Sequence, residues 1–142
     1  SILQNLKQRF RIAGIQHYTS FIADVSRKQK EVPNAPFDLI IADVPCTGSG
    51  TWSRTPEQLF FFKPNTVQSF ADRQVAIASN ALSCLKVAGY LVYITCSVFA
   101  EENENVIQLL LEKHLLELLH DEYITGYYHG ADSMYIAILK KK

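Results

Sequence analysis

The sequence predicts an α/β domain, a largely parallel sheet with helices packed against it. Three observations carry this. Two hydrophobic runs, FDLIIADVPC (37–46) and YLVYITC (90–96), are short, rich in Ile, Leu and Val, and followed by polar punctuation, as buried parallel strands ending in loops are. Between them Ala71, Val75, Ala78, Leu82 and Leu85 step by four and three, which marks the inner face of a helix. Strand and helix patterns alternate along the chain without repeats or low-complexity stretches, the order of the doubly wound class.

The elements follow in chain order. Ile2, Leu3, Leu6 and Phe10 recur at helical spacing, so the chain opens on an amphipathic helix that stops near Gly14. Residues 15–23 read as a strand ending at Asp24, and the polar stretch 26–36 as a connection in which Pro33 and Pro36 exclude a long helix. After the strand that opens at Phe37, the run TGSGTWSRTPEQ is a Gly, Ser and Thr loop. Phe60, Phe61, Phe62 and Pro64 belong to an irregular insertion whose exposed aromatics could meet bases. The helix bearing Ala71 and Leu82 is expected to stop with Gly89 at its C-cap, directly before the strand at 90–96. A further helix carries Glu101, Glu102 and Glu104 in its first turn, where carboxylates complement the dipole, and Val106, Leu109, Leu110 and Leu116 on a buried stripe. Residues 122–128 and 134–139 read as two closing strands.

Composition narrows the function classes. With 142 residues, 48% of them hydrophobic and 20% charged, the chain is expected to form one soluble globular unit with a real core. Its 14 basic and 14 acidic residues cancel, so any affinity for nucleic acid must be local rather than a whole-chain field. The most apolar stretch, around 109–119, is broken by Glu112, Lys113, His114 and Glu117 and does not suit a bilayer span. No secretory signal opens the chain, and neither the three cysteines nor the four histidines show paired metal-ligand spacing. A reducing cytoplasm is the expected location, with no metal.

Each of the two strand-like runs ends in a thiol. If those strands are neighbours, about 4.8 Å apart, Cys46 and Cys96 both face the crevice beyond the carboxyl ends of the sheet, where open α/β folds place ligands. A single cysteine ending a buried strand is usually a small hydrophobe. Two at corresponding ends mark a place for chemistry. By the same local reading Asp24 caps a turn, Arg54 is a solvated charge, Cys84 is structural and the histidines are incidental.

The residues around the two cysteines carry a resemblance. DVPCTGSG (43–50), RTP (54–56), Gln74 and LVYITCSVFAEEN (91–103) are similar, in wording, order and spacing, to motifs of the NOL1/NOP2/Sun family of S-adenosylmethionine-dependent RNA cytosine-5 methyltransferases. In that family the pattern is DAPCSGTG, then R-x-P, then LVYSTCS with a PEEN-like continuation. The likeness covers residues 37–139, because ADSMYIAIL (131–139) resembles the closing DGFF-type strand. The chain departs from the pattern at Ala88-Gly89, where Gly-Gly is usual, at Ala100, where Pro is common, and at Ser133-Met134-Tyr135, where Gly-Phe-Phe is usual. The family's Gly-rich cofactor loop, the lysine beside it and the acidic residue for the ribose hydroxyls would fall upstream of residue 1.

The resemblance implies a Rossmann-like methyltransferase fold present in part, with residues 1–142 as the C-terminal portion of the domain. In the family's strand order, 3-2-1-4-5-7-6, residues 15–23 would be strand 3, 37–43 strand 4 and 90–96 strand 5, with strands 1 and 2 missing. The resulting gap of about 14 Å cannot stay empty. Strand 3 is therefore expected to pair with strand 4, or two chains to join edge to edge. Cys96 would be the nucleophile that adds to carbon 6 of cytosine, Cys46 the thiol that assists its release, and Asp43 a holder of the base or of the reacting face of the cofactor. Asp24, Asp43 and Pro45 would face S-adenosylmethionine, and Arg54 would support the active site or a phosphate. A helix entered directly after Cys96 would lower its pKa. The substrate would be looped or single-stranded RNA, ribosomal RNA first of all, and the chain alone would be inactive. Two rivals stand beside this reading. A DNA cytosine-5 methyltransferase would use Cys46 as nucleophile, and the Thr-Cys setting of Cys96 argues against it; a non-catalytic interaction module would explain the absent cofactor loop.

Overall fold

Hydrogen-bonded strands and two packed helices form the body of the protein in the computed structural model, which describes residues 2–27 and 36–142. The chain opens on α1 (Ile2–Ile12), closed by Gly14 at a left-handed φ of 72° and carrying Phe10 edge-on against Tyr18. Strands β1 (Phe37–Asp43), β2 (Leu85–Thr95), β3 (Leu116–Ile124) and β4 (Met134–Lys141) form one sheet in the order β1-β2-β4-β3. β1 and β2 are parallel, with Ile40 opposite Leu91 and Asp43 opposite Ile94, while β4 runs antiparallel to both of its neighbours. This is the order implied for strands 4, 5, 7 and 6 of a Rossmann-like methyltransferase. Short α2 (Gln58–Phe61) and long α3 (Asn65–Ser83) make the crossover between the parallel strands, and α4 (Glu104–Lys113) leads from β2 to β3.

The core lies between that sheet and the two longer helices. Ala71, Val75, Ala78 and Leu82 of α3 and Val106, Ile107 and Leu110 of α4 form one cluster with Ala42, Leu91, Tyr93, Ala137 and Leu139 of the strands. Burial of each large aliphatic side chain there stabilises the fold by about 1.5–3 kcal/mol. The other face of the sheet differs. Leu39 and Ile41 are 53% and 63% exposed, and Val92, Ile94, Ile136 and Ile138 are half-buried. Strands that are apolar on both faces suit a sheet layered on both sides, and among the described residues only one side carries a helical layer.

Several expectations are corrected. Residues 15–23 form no strand: Phe21 and Ile22 lie exposed in irregular backbone, and the outer edge of β1 is unpaired among the described residues. A strand needs its backbone N–H and C=O groups bonded to a neighbouring edge, and residues 15–23 pair with none, the open edge of β1 included. α3 ends at Ser83, Leu85 already opens β2, and the chain swings through Ala88, which has φ 63°, before Gly89. Gly89 serves a close approach rather than a helix cap, since a Cβ there would lie 2.9 Å from the Lys86 carbonyl oxygen and 3.0 Å from that of Asp38. Within α4 the buried face is Val106, Ile107 and Leu110, which leaves Leu109 exposed; the helix ends at Lys113, and Leu116 is buried as the first residue of β3. β3 begins at Leu116 rather than 122 and stops at Ile124, before a 3-10 turn at Tyr127–His129, and its pairing with β4 is antiparallel, not a parallel crossover. Residues 28–35 of the expected connection lie outside the described residues.

Candidate active site

β1 and β2 end side by side, and each then delivers a cysteine to the same spot. The Sγ atoms of Cys46 and Cys96 are 3.2 Å apart, with both residues half-buried and unbridged. Either thiol can donate to the other; with Cys96 ionised Cys46 is the donor, and that bond together with burial pushes the Cys46 thiol well up. The same bond draws Cys96 from its ordinary 9.0 down to about 7, against burial and the negative charges of Asp43 and Asp132. Of the two, Cys96 is the sulfur that ionises first. The expected helix dipole is not the cause. After Cys96 come Ser97, Val98 and Phe99, then a 3-10 turn at Ala100–Glu102, and α4 starts only at Glu104.

A buried polar scaffold holds the two cysteine loops together. Glu102 is fully buried, and its Oε1 accepts the Thr47 backbone N–H at 2.9 Å and Gln74 Nε2 at 3.1 Å. Its Oε2 accepts the hydroxyls of Thr47 at 2.6 Å and Ser97 at 2.5 Å. Gln74 also donates to the Pro45 carbonyl at 2.9 Å, and the Tyr93 hydroxyl donates to the Glu102 carbonyl at 2.6 Å. Asn103 continues the scaffold: Thr95 Oγ1 donates to its Oδ1 at 2.6 Å, and its amide donates to the Ser97 carbonyl at 2.9 Å. Ser49 Oγ accepts the Val98 N–H at 2.9 Å. Gly50 closes the assembly, donating its N–H to the Cys96 carbonyl at 2.8 Å and accepting from Ser133 N–H at 3.0 Å. Sequence reasoning gave Glu102 only a dipole role and Thr47, Ser49 and Ser97 none of their own. One signal was available: Gln74 is the polar residue on the otherwise apolar buried face of α3.

The remaining candidates sit around this centre unequally. Asp43 is exposed at the carboxyl end of β1, close enough for its charge to act on Cys96, and exposed Pro45 follows it directly. Asp24 takes its hydrogen bonds locally. Its Oδ1 takes the Ser26 N–H at 3.1 Å and the Ser26 hydroxyl at 2.6 Å, which lowers its pKa, and the next carbonyl, of Val25, is held by Asn80 of α3. That is the turn cap of the local reading. Arg54 makes a two-pronged ion pair with Asp132, Nε to Oδ1 at 3.1 Å and Nη2 to Oδ2 at 2.6 Å, tying the insertion to the β3–β4 loop. Trp52, Phe62 and Phe99 pack together beside the Cys96 loop, with Phe62 stacked on Phe99 at 5.5 Å, while Phe60 and Phe61 remain 88% and 69% exposed. Cys84 caps α3, its carbonyl accepting the Phe37 N–H at 2.7 Å. Among the described residues no cluster of His, Cys, Asp and Glu could hold a metal ion, and no helix is long and apolar enough to cross a membrane.

The probable ribosomal RNA small subunit methyltransferase B of Coxiella burnetii is 30% identical over 114 residues, 79% of this chain but 26% of that protein, so the chain spans about a quarter of its relative's length. A crystal structure of a methyltransferase homolog protein from Pyrococcus horikoshii superimposes with a TM-score of 0.75 at 28% identity, covering 99% of this chain and 50% of that one. NSun6 from Pyrococcus horikoshii, solved with SFG, shares the fold with a TM-score of 0.84 at 22% identity, covering 98% and 38% of the two chains. The family model described as 16S rRNA methyltransferase RsmB/F matches residues 1–140, and the chain belongs to that family, a branch of the NOL1/NOP2/Sun methyltransferases.

Proposed function

We propose that the protein transfers a methyl group from S-adenosylmethionine to carbon 5 of a cytosine in small-subunit ribosomal RNA, through a covalent bond between Cys96 and carbon 6 of the base. The observation that supports this most is the thiol pair 3.2 Å apart, in which Cys96 is held near pKa 7 by a hydrogen bond from Cys46. Carbon 5 of cytosine is a poor nucleophile. Addition of the Cys96 thiolate at carbon 6 forms the S–C bond and moves the ring's π electrons toward carbon 5, which then attacks an electrophilic methyl. A base at the site then takes the carbon 5 proton, the C–H electrons re-form the carbon 5–carbon 6 double bond, and the C–S bond breaks to release Cys96 as thiolate. Cys46, beside it, assists that release. Asp43, at the mouth of the site, holds the amino side of the base or the reacting face of the cofactor.

The residues present suit S-adenosylmethionine on one side. Asp43 carries an exposed carboxylate for an amine or hydroxyl donor, and the exposed Pro45 ring offers an apolar surface next to it. Asp24 suits it less, having one oxygen engaged by Ser26. When bound, the cofactor supplies the electrophilic methyl. The further contacts belong to the family's upstream loop, so residues 1–142 are read as the C-terminal portion of a methyltransferase domain, inactive without the rest, and cytoplasmic. By the family's strand order, strand 1 takes the open edge of β1 in a longer chain; without it, two copies pair edge to edge.

The Thr-Cys setting of Cys96 argues against the rival in which Cys46 is the nucleophile on DNA. The test is transfer of labelled methyl from S-adenosylmethionine to 16S rRNA by the complete protein, followed by nucleoside analysis. Label in 5-methylcytidine supports the reading; label in another nucleoside, or in DNA alone, overturns it.

A further inference from the structure

We propose that Glu102 is a positioning residue of the thiol pair, clamping the loop after Cys46 to the loop after Cys96 and so setting the distance between the two sulfurs. This rests on the roles proposed above for those cysteines. Neighbouring Glu101 and Glu104 lie in solvent, where a carboxylate near the start of a helix needs nothing further; Glu102 does not. It is 0% exposed, and none of the ion pairs among the described residues gives it a cation. A buried carboxylate is tolerated only when hydrogen bonds replace its water, and here four donors do so. Their origin is the informative part. Two come from Thr47, the residue after Cys46, and one from Ser97, the residue after Cys96. The fourth, Gln74, also grips the carbonyl of Pro45, the residue before Cys46.

Cys46 is thus fixed on both sides through one carboxylate that also grips the Cys96 loop. Without it, Thr47 loses both of these acceptors and the Cys46 sulfur is free to leave Cys96. Cys96 then loses the donor that lowers its pKa. A glutamine can replace the carboxylate: its oxygen would keep the two N–H donors, and its NH2 would face the hydroxyls of Thr47 and Ser97, which can turn to accept.

The test compares wild type, Glu102→Ala and Glu102→Gln in the complete protein, following Cys96 alkylation by iodoacetamide against pH by peptide mass spectrometry, with Cys84 as internal reference. Wild type and Glu102→Gln should show a midpoint near 7. Glu102→Ala should move the midpoint toward 9.0, lowering the thiolate available at pH 7 by up to about fifty-fold. A folded Glu102→Ala protein with an unmoved midpoint overturns the proposal. If that variant does not fold, Thr47→Val, which removes one of the four donors, carries the test: a midpoint raised in part supports the clamp and an unchanged one refutes it. Absence of methyl transfer by the wild type would overturn the proposed function and leave the alkylation result to decide the role of Glu102.

Discussion

Gly50→Ala isolates the closest backbone approach at the site. An added Cβ would lie 2.1 Å from the Ser133 carbonyl oxygen and 3.0 Å from that of Cys96, and both obstacles are backbone, which cannot rotate aside. The loop must retreat by about 1 Å, and overpacking of this kind costs about 1–3 kcal/mol. Retreat also stretches the bonds from Gly50 N–H to Cys96 and from Ser133 N–H to Gly50, each worth about 1 kcal/mol. Allowing for overlap between the two effects, the loss is about 2–4 kcal/mol. Gly48→Ala is the matched control: φ is 71° there, but the nearest atom to an added Cβ is Thr51 Oγ1 at 3.8 Å, so only left-handed strain of about 1–2 kcal/mol applies. Urea denaturation of both variants in the complete protein gives the comparison. Gly50→Ala should unfold at clearly lower urea than Gly48→Ala and should also separate the thiols, seen as slower Cys96 alkylation at neutral pH. Equal stability of the two variants would refute the reasoning.

Ala88 holds a non-glycine residue at φ 63°. Ala88→Gly should stabilise the protein by about 0.5–1 kcal/mol, the left-handed strain of about 1–2 kcal/mol less the entropy glycine adds to the unfolded chain; a lower urea midpoint would contradict this. The pH dependence follows from Cys96. Its thiolate forms as pH rises through about 7, so methyl transfer under subsaturating RNA should fall about tenfold per unit below that and level off above 8. A rate that rises as pH falls from 7 to 6 would exclude thiolate chemistry at this sulfur.

What the sequence revealed, and what it hid, have physical reasons. The runs ending in Cys46 and Cys96 are legible as buried parallel strands because continuous apolar stretches of that length suit few other places; that the two are neighbours follows only from the resemblance and its strand order. Residues 15–23 are a weaker signal, with Gln16, His17, Thr19 and Ser20 among Ile15, Tyr18, Phe21 and Ile22, and no local pattern says whether such a segment pairs with an edge; here it leaves the outer edge of β1 open. The end of α3 was misplaced because Gly89 resembles a helix stop, whereas its lack of a Cβ serves the approach to Asp38. Glu102 was read from its place near a helix start, and nothing in its immediate neighbours told that it turns inward while Glu101 and Glu104 turn out. The depressed pKa of Cys96 was anticipated with the wrong cause, since a thiol fifty positions away in sequence supplies it rather than the following helix.

The central claim is that Cys96 forms the covalent bond to the base while Cys46 releases it. The most direct measurement is a denaturing gel of the complete protein incubated with S-adenosylmethionine and 16S rRNA, comparing Cys46→Ala with Cys96→Ala. Cys46→Ala should accumulate a protein–RNA adduct, because the bond forms and is not resolved, and Cys96→Ala should form none. An adduct on Cys96→Ala and none on Cys46→Ala would contradict the account and make Cys46 the nucleophile.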